Sequence, residues 1–326
     1  MPHHSAPQDP SDLLLRLYAM AHEHAIDEFQ DDALRLMQSV LPFDSAMWGT
    51  ARTTVAGIDV HTLHLFQKSP EMMAEYEHVK HMDSAAASLM SRRRGTVSVH
   101  AETWHHRPEE REIRDYLRRW EHHNNIVTAD NDMDRQFVHW ISLFRADPEA
   151  QGQAHEVRLI DQFAPHWMQA LAINRRMHLR QVHPACPPPC GTAIADLRGV
   201  IYHADEPFKA MARTEWPGWR GHALPMQALD GFLRGHACHA GGTLVMRHHA
   251  RHGLLFLKSR PRCAADELTP SELRVAQLTA QGNSYKQVAA RLQRSPATVR
   301  NQLRAVYDKL GVSNVAEMIE ALRPME

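Results

Sequence analysis

The sequence predicts a multidomain chain, in which an α/β (α+β) region with a mostly antiparallel sheet precedes an all-α domain of four helices. Three observations support this fold class. The chain has 326 residues, more than the roughly 100–200 residues of a usual single domain. Strand-like and helix-like patterns are mixed as far as a proline-rich break at 182–190. Beyond residue 264, four helices are delimited by capping residues.

The first domain is predicted to span residues 1–181. Apolar residues at helical spacing predict helices, and alternating β-branched and aromatic residues predict strands. Ser69 is expected to cap one helix, with Pro70 at its first position. Residues 11–40 are expected to form a helix that either continues or breaks before Leu34. The other expected elements are a strand pair at 45–53 and 57–66, a helix from 69, a strand at 95–104, a helix at 108–123, strands at 126–129 and 137–146, and a closing helix at 154–179.

Residues 182–191 hold five prolines or glycines in ten positions, which no helix can continue through. Residues 182–190 are therefore predicted to be a linker. A second, smaller module is predicted at 191–262, with one hairpin that turns at Arg198-Gly199 and another within 241–260.

The C-terminal helices are predicted from their caps. Thr269, Pro270 and Glu272 have the spacing of a capping box with proline at the first helical position. The remaining start and stop signals are Gly282, the Ser284 and Gln287 pair, Ser295 with Pro296, Gly311, and Ser313 or Asn314. The second and third helices are joined by a short turn at Gln293-Arg294, as in a helix-turn-helix.

The apolar positions of these four helices are predicted to share one small core. They are Leu273, Ala276, Leu278, Val288, Ala289, Leu292, Val299, Leu303, Val306, Leu310, Val315, Met318, Ile319 and Leu322. The formal net charge of the chain is −1, so any attraction to nucleic acid must be local. Between Tyr285 and Lys309, six basic residues face one acid, Asp308.

Residues 268–323 resemble the DNA-binding domain of the LuxR/FixJ class of bacterial transcription regulators. The motifs are L-T-P-x-E, A-x-G-x-S-x-K-x-V-A, L-x-x-S-x-x-T-V-R-N and K-L-G-V, in this order. The resemblance implies a four-helix domain at 264–326 that reads double-stranded DNA as a homodimer, with the helix from Ser295 to Leu310 in the major groove.

On this resemblance, the predicted DNA contacts are Lys286, Ser295, Thr298, Val299, Arg300, Asn301, Gln302, Arg304 and Lys309. Thr298 and residues 300–302 are expected near base edges, and Lys286, Arg304 and Lys309 near phosphates. Val299 either packs in the core or touches a thymine methyl group.

The front of the chain is predicted to sense a small molecule or a partner. A phosphorylation receiver is excluded, because Asp31-Asp32 follows a helical pattern. Tyr76 and Asp83 lie about where acyl-homoserine-lactone domains place a tyrosine and an aspartate, although no proline follows Asp83. Residues 142–176 resemble the last strand and closing helix of GAF-like sensor domains, and residues 191–262 resemble a PAS-like module.

The 25 histidines raise metal or haem sensing as an alternative. His61 and His64 are expected on opposite faces of a strand, whereas His78, His81 and Glu75 share a helical face. Cys186 with Cys190, and His236 with Cys238 and His239, give incomplete ligand sets. A metal-dependent enzyme fused to a DNA-binding domain is the other alternative, but no phosphate-binding glycine loop, G-x-S-x-G or H-E-x-x-H motif occurs. No cofactor and no enzymatic activity are therefore predicted.

A cytoplasmic location is expected, because no apolar run is long enough to span a membrane and the first residues lack a signal-peptide core. The four cysteines fit a reducing compartment. The sequence as a whole predicts a cytoplasmic, sequence-specific transcription regulator.

Overall fold

The computed structural model describes residues 10–54, 57–90, 92–132, 137–184 and 189–322. The helices are α1 Pro10–Glu23, α2 Phe29–Gln38, α3 Glu71–Val79, α4 Ser84–Met90, α5 Ala101–Trp104, α6 Arg111–Arg119, α7 Ala154–Val182, α8 Glu206–Glu215, α9 Met226–Leu233, α10 Pro270–Ala280, α11 Tyr285–Arg291, α12 Pro296–Leu310 and α13 Val315–Leu322. The strands are β1 Ser45–Thr54, β2 Gly57–Phe66, β3 Arg94–His100, β4 Asn124–Asp132, β5 Phe137–Arg145, β6 Gly191–Asp196, β7 Ile201–Ala204, β8 Cys238–Ala240, β9 Leu244–Arg251 and β10 Leu254–Pro261.

The first five strands form an antiparallel sheet in the order β2-β1-β5-β4-β3. Because side chains alternate along a strand, the sheet has two different faces. One face packs on α1, α2 and α7 around the fully buried Trp48 and Trp167. The other face is covered by α3 to α6, and between it and these helices lies a cavity.

The second sheet is also antiparallel, in the order β7-β6-β10-β9-β8. Helices α8 and α9 pack on one of its faces around Phe208 and Phe232. Its other face meets the C-terminal end of α7, where Leu179 packs on Ile194 and Phe256. The long helix α7 therefore contacts both sheets.

Polar contacts also join the two sheets. The His61 Nδ1 atom lies 2.8 Å from the Asp196 carboxylate, and both side chains are buried. The hydroxyl groups of Thr50 and Tyr202 are 2.7 Å apart. At the edge of the contact, Asp27 pairs with Arg251. The first two contacts connect β2 and β1 with the β6–β7 hairpin, and the third connects the α1–α2 loop with β9.

Most predicted elements are present, with three corrections. Residues 11–40 form two helices that break at residues 24–28, which is one of the two alternatives that their pattern left open. The first correction is that residues 101–104, expected at the end of a strand, are helical. Helix α3 begins at Glu71 with no side-chain cap, so the prediction that Ser69 caps it is wrong. Val315 and Ile319 are 41% and 39% exposed, so they do not belong to the predicted core.

The second module follows its predicted pattern, with hairpins β6–β7 and β9–β10. The second turn lies at His252-Gly253, where both residues have positive φ. The division of the chain at 181, 190 and 262 stays a prediction. Helix α7 continues to Val182, and residues 185–188 of the predicted linker lie outside the described residues. Cys190 is disulfide-bonded, which the cysteine count did not predict.

Candidate functional site

The first candidate site is the cavity between the first sheet and α3 to α6, which has a volume of about 100 Å³. Its walls are mostly apolar and come from both the sheet and the covering helices. The apolar lining includes Met47, Ile58, Val60, Met73, Leu89, Val99, Ile113, Leu117, Val127, Val138, Trp140 and Phe144. Such walls favour an apolar ligand body, and orientation then depends on a few polar groups.

Tyr76 and Asp83 supply one of these polar groups. The Tyr76 hydroxyl donates a 2.8 Å hydrogen bond to Asp83 Oδ2, and Oδ1 accepts from the backbone N–H of Ala86. Burial, together with the neighbouring Asp83 carboxylate, raises the pKa of Tyr76 well above its usual value. The structure thus brings together the two residues that the sequence singled out, at the N-terminus of α4.

Three further polar side chains line the cavity and were not predicted. His105 and His122 are 1% and 3% exposed. Within the described part of the chain, His105 Nδ1, His122 Nε2 and Asn125 Oδ1 have no hydrogen-bond partner. His122 stacks on Phe144 with ring centroids 3.6 Å apart, and burial lowers its pKa to about 3. At neutral pH this ring is uncharged and can donate or accept a hydrogen bond.

The second candidate site is the surface of the C-terminal helices. Ser284 and Ser295 accept hydrogen bonds from the backbone N–H groups of Gln287 and Thr298, as the capping pattern predicts. Gly282 and Gly311 adopt positive φ just beyond α10 and α12. Local capping chemistry therefore fixes where these helices begin and end.

Helices α11 and α12 are joined by a tight turn. Gln293 has a φ of 53°, and the Arg294 N–H donates to the Ala289 carbonyl at 2.9 Å. Val288 and Val299, both 0% exposed, pack together across the turn. This packing fixes α12 against α11 and leaves one side of α12 exposed, which is the arrangement of a helix-turn-helix.

Basic side chains are concentrated on this exposed side. Lys286, Arg291 and Arg304 are exposed. The Arg300 guanidinium lies 4.8 Å from the Tyr285 ring centroid and donates to its hydroxyl at 3.1 Å. The stacking restricts the rotamers of Arg300 in advance of any contact.

Residues 266–322 match the family model described as bacterial regulatory proteins, luxR family. The chain therefore carries a luxR-family helix-turn-helix domain. The match covers the four helices α10 to α13. It does not extend into the two sheets, whose role has to be argued from their own geometry.

The predicted contact residues of the luxR-family domain occupy three different environments. Thr298, Arg300, Asn301, Arg304 and Lys286 are exposed, and Ser295 is the cap of α12. Val299 is fully buried and packs in the core, which is the first of the two alternatives that the sequence left open for it.

Two of the residues predicted to contact DNA, Gln302 and Lys309, are bonded to other side chains of the luxR-family domain. The Gln302 amide donates to Ser271 Oγ at 2.6 Å and accepts from Arg294 at 2.9 Å. The Lys309 ammonium forms a 2.7 Å ion pair with Glu272, the residue that completes the capping box of α10. Any contact of either side chain with DNA has to compete with these bonds.

Some solved structures are similar to the whole chain or its front half. SdiA of Escherichia coli is 12% identical, with 96% of each chain covered and a TM-score of 0.39. The N-acylhomoserine-lactone-dependent LuxR-family factor CepR2 of Burkholderia cenocepacia is 13% identical, over 51% of this chain and 97% of that chain, with a TM-score of 0.38. A phycoerythrobilin-bound GAF domain of a cyanobacterial phytochrome is 12% identical, over 53% of this chain and 99% of that chain, with a TM-score of 0.37.

These TM-scores are below 0.5, so the likenesses do not assign a ligand or a domain type to the front half. No curated protein sequence matches the chain. No helix within the described ranges is long and apolar enough to cross a membrane.

Two of the histidines that were considered for metal binding, His61 and His64, lie against carboxylates. His64 Nε2 lies 2.7 Å from Asp31, and His61 lies against Asp196. Glu75 accepts hydrogen bonds from Arg119 and Trp120. Among the described residues, no three His, Cys, Asp or Glu side chains converge on a common point. Cys186 lies outside those residues.

The sequence did not reveal the cavity histidines, because each lies in a loop after a helix where no periodic pattern assigns a face. His105 follows α5 and His122 follows α6. Asn125 could have been found, because it alternates with Val127 and Ala129 along β4 and must share their face.

Proposed function

We propose that this protein is a sequence-specific transcription regulator that reads DNA with α12 and binds a small molecule in its front half. The luxR-family match over residues 266–322 is the observation that carries the first part. The exposed basic side of α11 and α12 supports it, because phosphate contacts need unpaired Lys and Arg side chains near the groove.

Within this proposal, Thr298, Arg300 and Asn301 contact base edges from the first turns of α12. Lys286 and Arg304 contact phosphates, and Ser295 positions the start of the helix. The proposed role of Gln302 is indirect, because its hydrogen bonds to Ser271 and Arg294 hold α12 on α10.

The cavity above the first sheet is the proposed sensor site. An apolar wall with a small number of polar groups suits an uncharged amphipathic molecule. Its polar end would take its hydrogen bonds from Tyr76, His105, His122 and Asn125. The site closes between α3 to α6 and the sheet, so occupancy would fix the position of those helices.

A homodimer is the proposed working form, in the cytoplasm where the DNA is. Val315 and Ile319, one turn apart on α13, are both partly exposed, while Met318 and Leu322 on its other side are buried. The exposed pair offers a small apolar surface for a second copy. We propose no enzymatic activity.

The decisive experiment is selection of DNA sequences from a random pool by the full chain and by residues 264–326, each titrated against salt. Both are expected to enrich one sequence, and the full chain to bind it more tightly if the front half supplies dimer contacts. Arg300→Ala is expected to weaken binding to the selected site about tenfold or more, since a specific base contact contributes about 1–3 kcal/mol.

Arg213→Ala is the matched control, because Arg213 is exposed on α8, outside the luxR-family domain. It should leave binding unchanged. If neither protein enriches a sequence, the proposed function is wrong.

A further inference from the structure

A second cavity lies where α7, the first sheet and the second sheet meet, and it is separate from the one above the first sheet. Its volume is about 290 Å³. Met168 and Leu171 of α7 and Ile194 of β6 form its apolar wall. Arg175 and Arg176 also line it, against a single acid, Asp130. The cavity therefore combines an apolar wall with excess positive charge.

Arg175 is the unusual residue of this cavity. Its side chain is only 8% exposed, and its guanidinium lies 5.1 Å from the centroid of the Tyr202 ring. Within the described part of the chain it forms no ion pair within 4 Å and no hydrogen bond, although the charge of Asp196 acts on it from a greater distance. A buried cation without an anion is costly, and buried arginines are normally paired.

Arg145 is another buried arginine of this chain, and unlike Arg175 it has an anionic partner. Arg145 is 7% exposed, and Glu156 accepts hydrogen bonds from both of its terminal nitrogens, at 3.1 and 2.7 Å. This is the bidentate pairing that arginine geometry favours. Arg175 has the same degree of burial and lacks such a partner.

Asp196 is a carboxylate whose charge acts on Arg175, and its oxygens are engaged elsewhere. Asp196 Oδ2 accepts from Tyr202 at 3.2 Å and lies 2.8 Å from His61 Nδ1. Asp196 Oδ1 accepts from the backbone N–H groups of Arg198 and Val200, both at 2.9 Å. The arrangement holds Tyr202 in place under the guanidinium. Arg175 lines both this cavity and the neighbouring pocket beside His61 and His64.

The remaining polar side chains of the cavity suit an anion without adding charge. His139 and His203 line it, and burial lowers the pKa of both, to about 4 for His139. They are neutral at pH 7 and can each donate one hydrogen bond. The positive charge of the cavity thus comes from Arg175 and Arg176.

We propose that this cavity is a second ligand site, in which Arg175 binds the carboxylate of a small organic acid whose apolar body lies against α7 and Ile194. The bound acid would contact both sheets at once, because Tyr202 and His203 come from β7 and His139 from β5. The site does not depend on DNA binding, and its test uses none.

The test is titration of the full-length protein with benzoate, by calorimetry and by thermal unfolding, at pH 7 and constant ionic strength. Benzamide, which has the same shape without the charge, and inorganic phosphate, which has the charge without the apolar body, are the comparison probes. Saturable binding of benzoate is expected, at least tenfold tighter than either comparison probe.

Arg175→Met is expected to weaken benzoate binding at least tenfold. The unfolding temperature of the free variant should not fall, because the substitution removes an unpaired buried charge and keeps most of the volume. Arg175→Lys, which keeps the charge but loses the planar fork, should bind with intermediate affinity. Arg158→Met, at an exposed position of the same helix, is the matched control and should bind as the unmodified protein does.

Three results would overturn the proposal. They are the absence of saturable benzoate binding, unchanged binding by both Arg175 variants, and a large fall in the unfolding temperature of both variants with no selective effect on benzoate. The last result would make Arg175 a structural residue that packs on Tyr202. Equal affinity for phosphate and benzoate would contradict the organic part of the ligand assignment.

Discussion

Single buried side chains in this protein carry both its stability and its recognition chemistry. In His122 the two roles oppose each other, because a polar group kept available for a ligand lowers stability when it is buried. It stacks on Phe144 inside the first cavity, and its Nε2 atom has no partner among the described residues. A ring placed in this way has to remain neutral, since a charged imidazolium would be desolvated there.

This makes stability depend on pH. The pKa of His122 is lowered by burial from 6.5 to about 3, so the unfolded chain binds a proton in the window between these values and the folded chain does not. Stability is therefore fully present above pH 6.5 and is lost as pH falls toward the folded pKa.

Replacing His122 by an aromatic ring that does not titrate should remove this pH dependence of stability. Between pH 7 and pH 5, we expect the unmodified protein to lose about 2 kcal/mol more unfolding free energy than His122→Phe does. Urea denaturation at the two pH values measures the difference. His155→Phe, at an exposed position of α7, is the control and should follow the unmodified protein. Parallel pH curves for His122→Phe and the unmodified protein would show that His122 does not titrate as its burial requires.

At the scale of the element, α7 is the helix on which most of the front half depends. Its start is fixed by Glu156, which accepts from the Gln153 backbone N–H at 2.7 Å and pairs with Arg145 at the end of β5. One carboxylate thus joins the helix cap to the sheet.

Glu156→Ala should destabilise the front half strongly, by about 3 kcal/mol, because it leaves Arg145 buried without its anion. Urea denaturation followed by tryptophan fluorescence checks this, since Trp48 and Trp167 lie in the core that α7 closes. Glu149→Ala removes an exposed carboxylate from the preceding loop and should cost less than about 0.5 kcal/mol. Similar losses for the two variants would contradict the role given to the ion pair.

The elements also show how far sequence reasoning can reach. The capping of α10, α11 and α12 was predictable, because a cap and its N–H partner are only three residues apart. Whether α1 and α2 form one helix or two was left open, since residues 24–28 continue the apolar spacing. Nor could strand patterns show that β1 pairs with β5, because alternation assigns a face but not a neighbour.

The same limit applies to the two cavities. Tyr76 and Asp83 are seven residues apart and were singled out from sequence. Arg175 lies on α7 and Tyr202 on β7 of the second sheet, and they meet only through the packing of α7. A site assembled from distant segments leaves no local pattern.

Glu272 takes part both in helix capping and in an ion pair with a proposed DNA-contact residue. Its carboxylate completes the α10 capping box and also pairs with Lys309. Glu272→Gln should keep the cap, because glutamine serves equally in this position, and should release Lys309 for a phosphate. We expect the affinity for DNA to rise severalfold at low salt, and the salt slope to steepen by about 0.9.

The matched control is Glu317→Gln, because Glu317 completes the equivalent hydrogen bonds at the start of α13 without a lysine partner. Binding curves at several salt concentrations distinguish the two variants. If Glu272→Gln and Glu317→Gln gave the same slope, Lys309 would have no part in phosphate contact.

For the whole molecule, the proposed function requires a route by which the front half acts on the luxR-family domain. The two sheets are joined by α7 and by buried polar contacts such as that between His61 and Asp196, so they can move as one body. Ligands in either cavity would then act on DNA binding through the spacing of two recognition helices in a dimer.

The dimer itself can be tested on α13. Ile319→Asp places a charge on the exposed side of the helix, while Met318 and Leu322 keep its buried side intact, so the domain should remain folded. We expect the full chain to sediment as a dimer and the variant as a monomer. Because a dimer holds its second recognition helix near the second half-site, the variant should lose at least tenfold affinity for a two-half-site operator.

Affinity for a single half-site should be unchanged in Ile319→Asp, since one recognition helix is enough for it. Leu15→Asp is the control for a charge placed on an exposed apolar residue elsewhere, as Leu15 is 71% exposed on α1. A variant that stays dimeric and binds the operator normally would move the dimer contact away from α13. The front half would then have to hold the two copies together, and a ligand could set the spacing of the recognition helices without any contact between the DNA-binding domains.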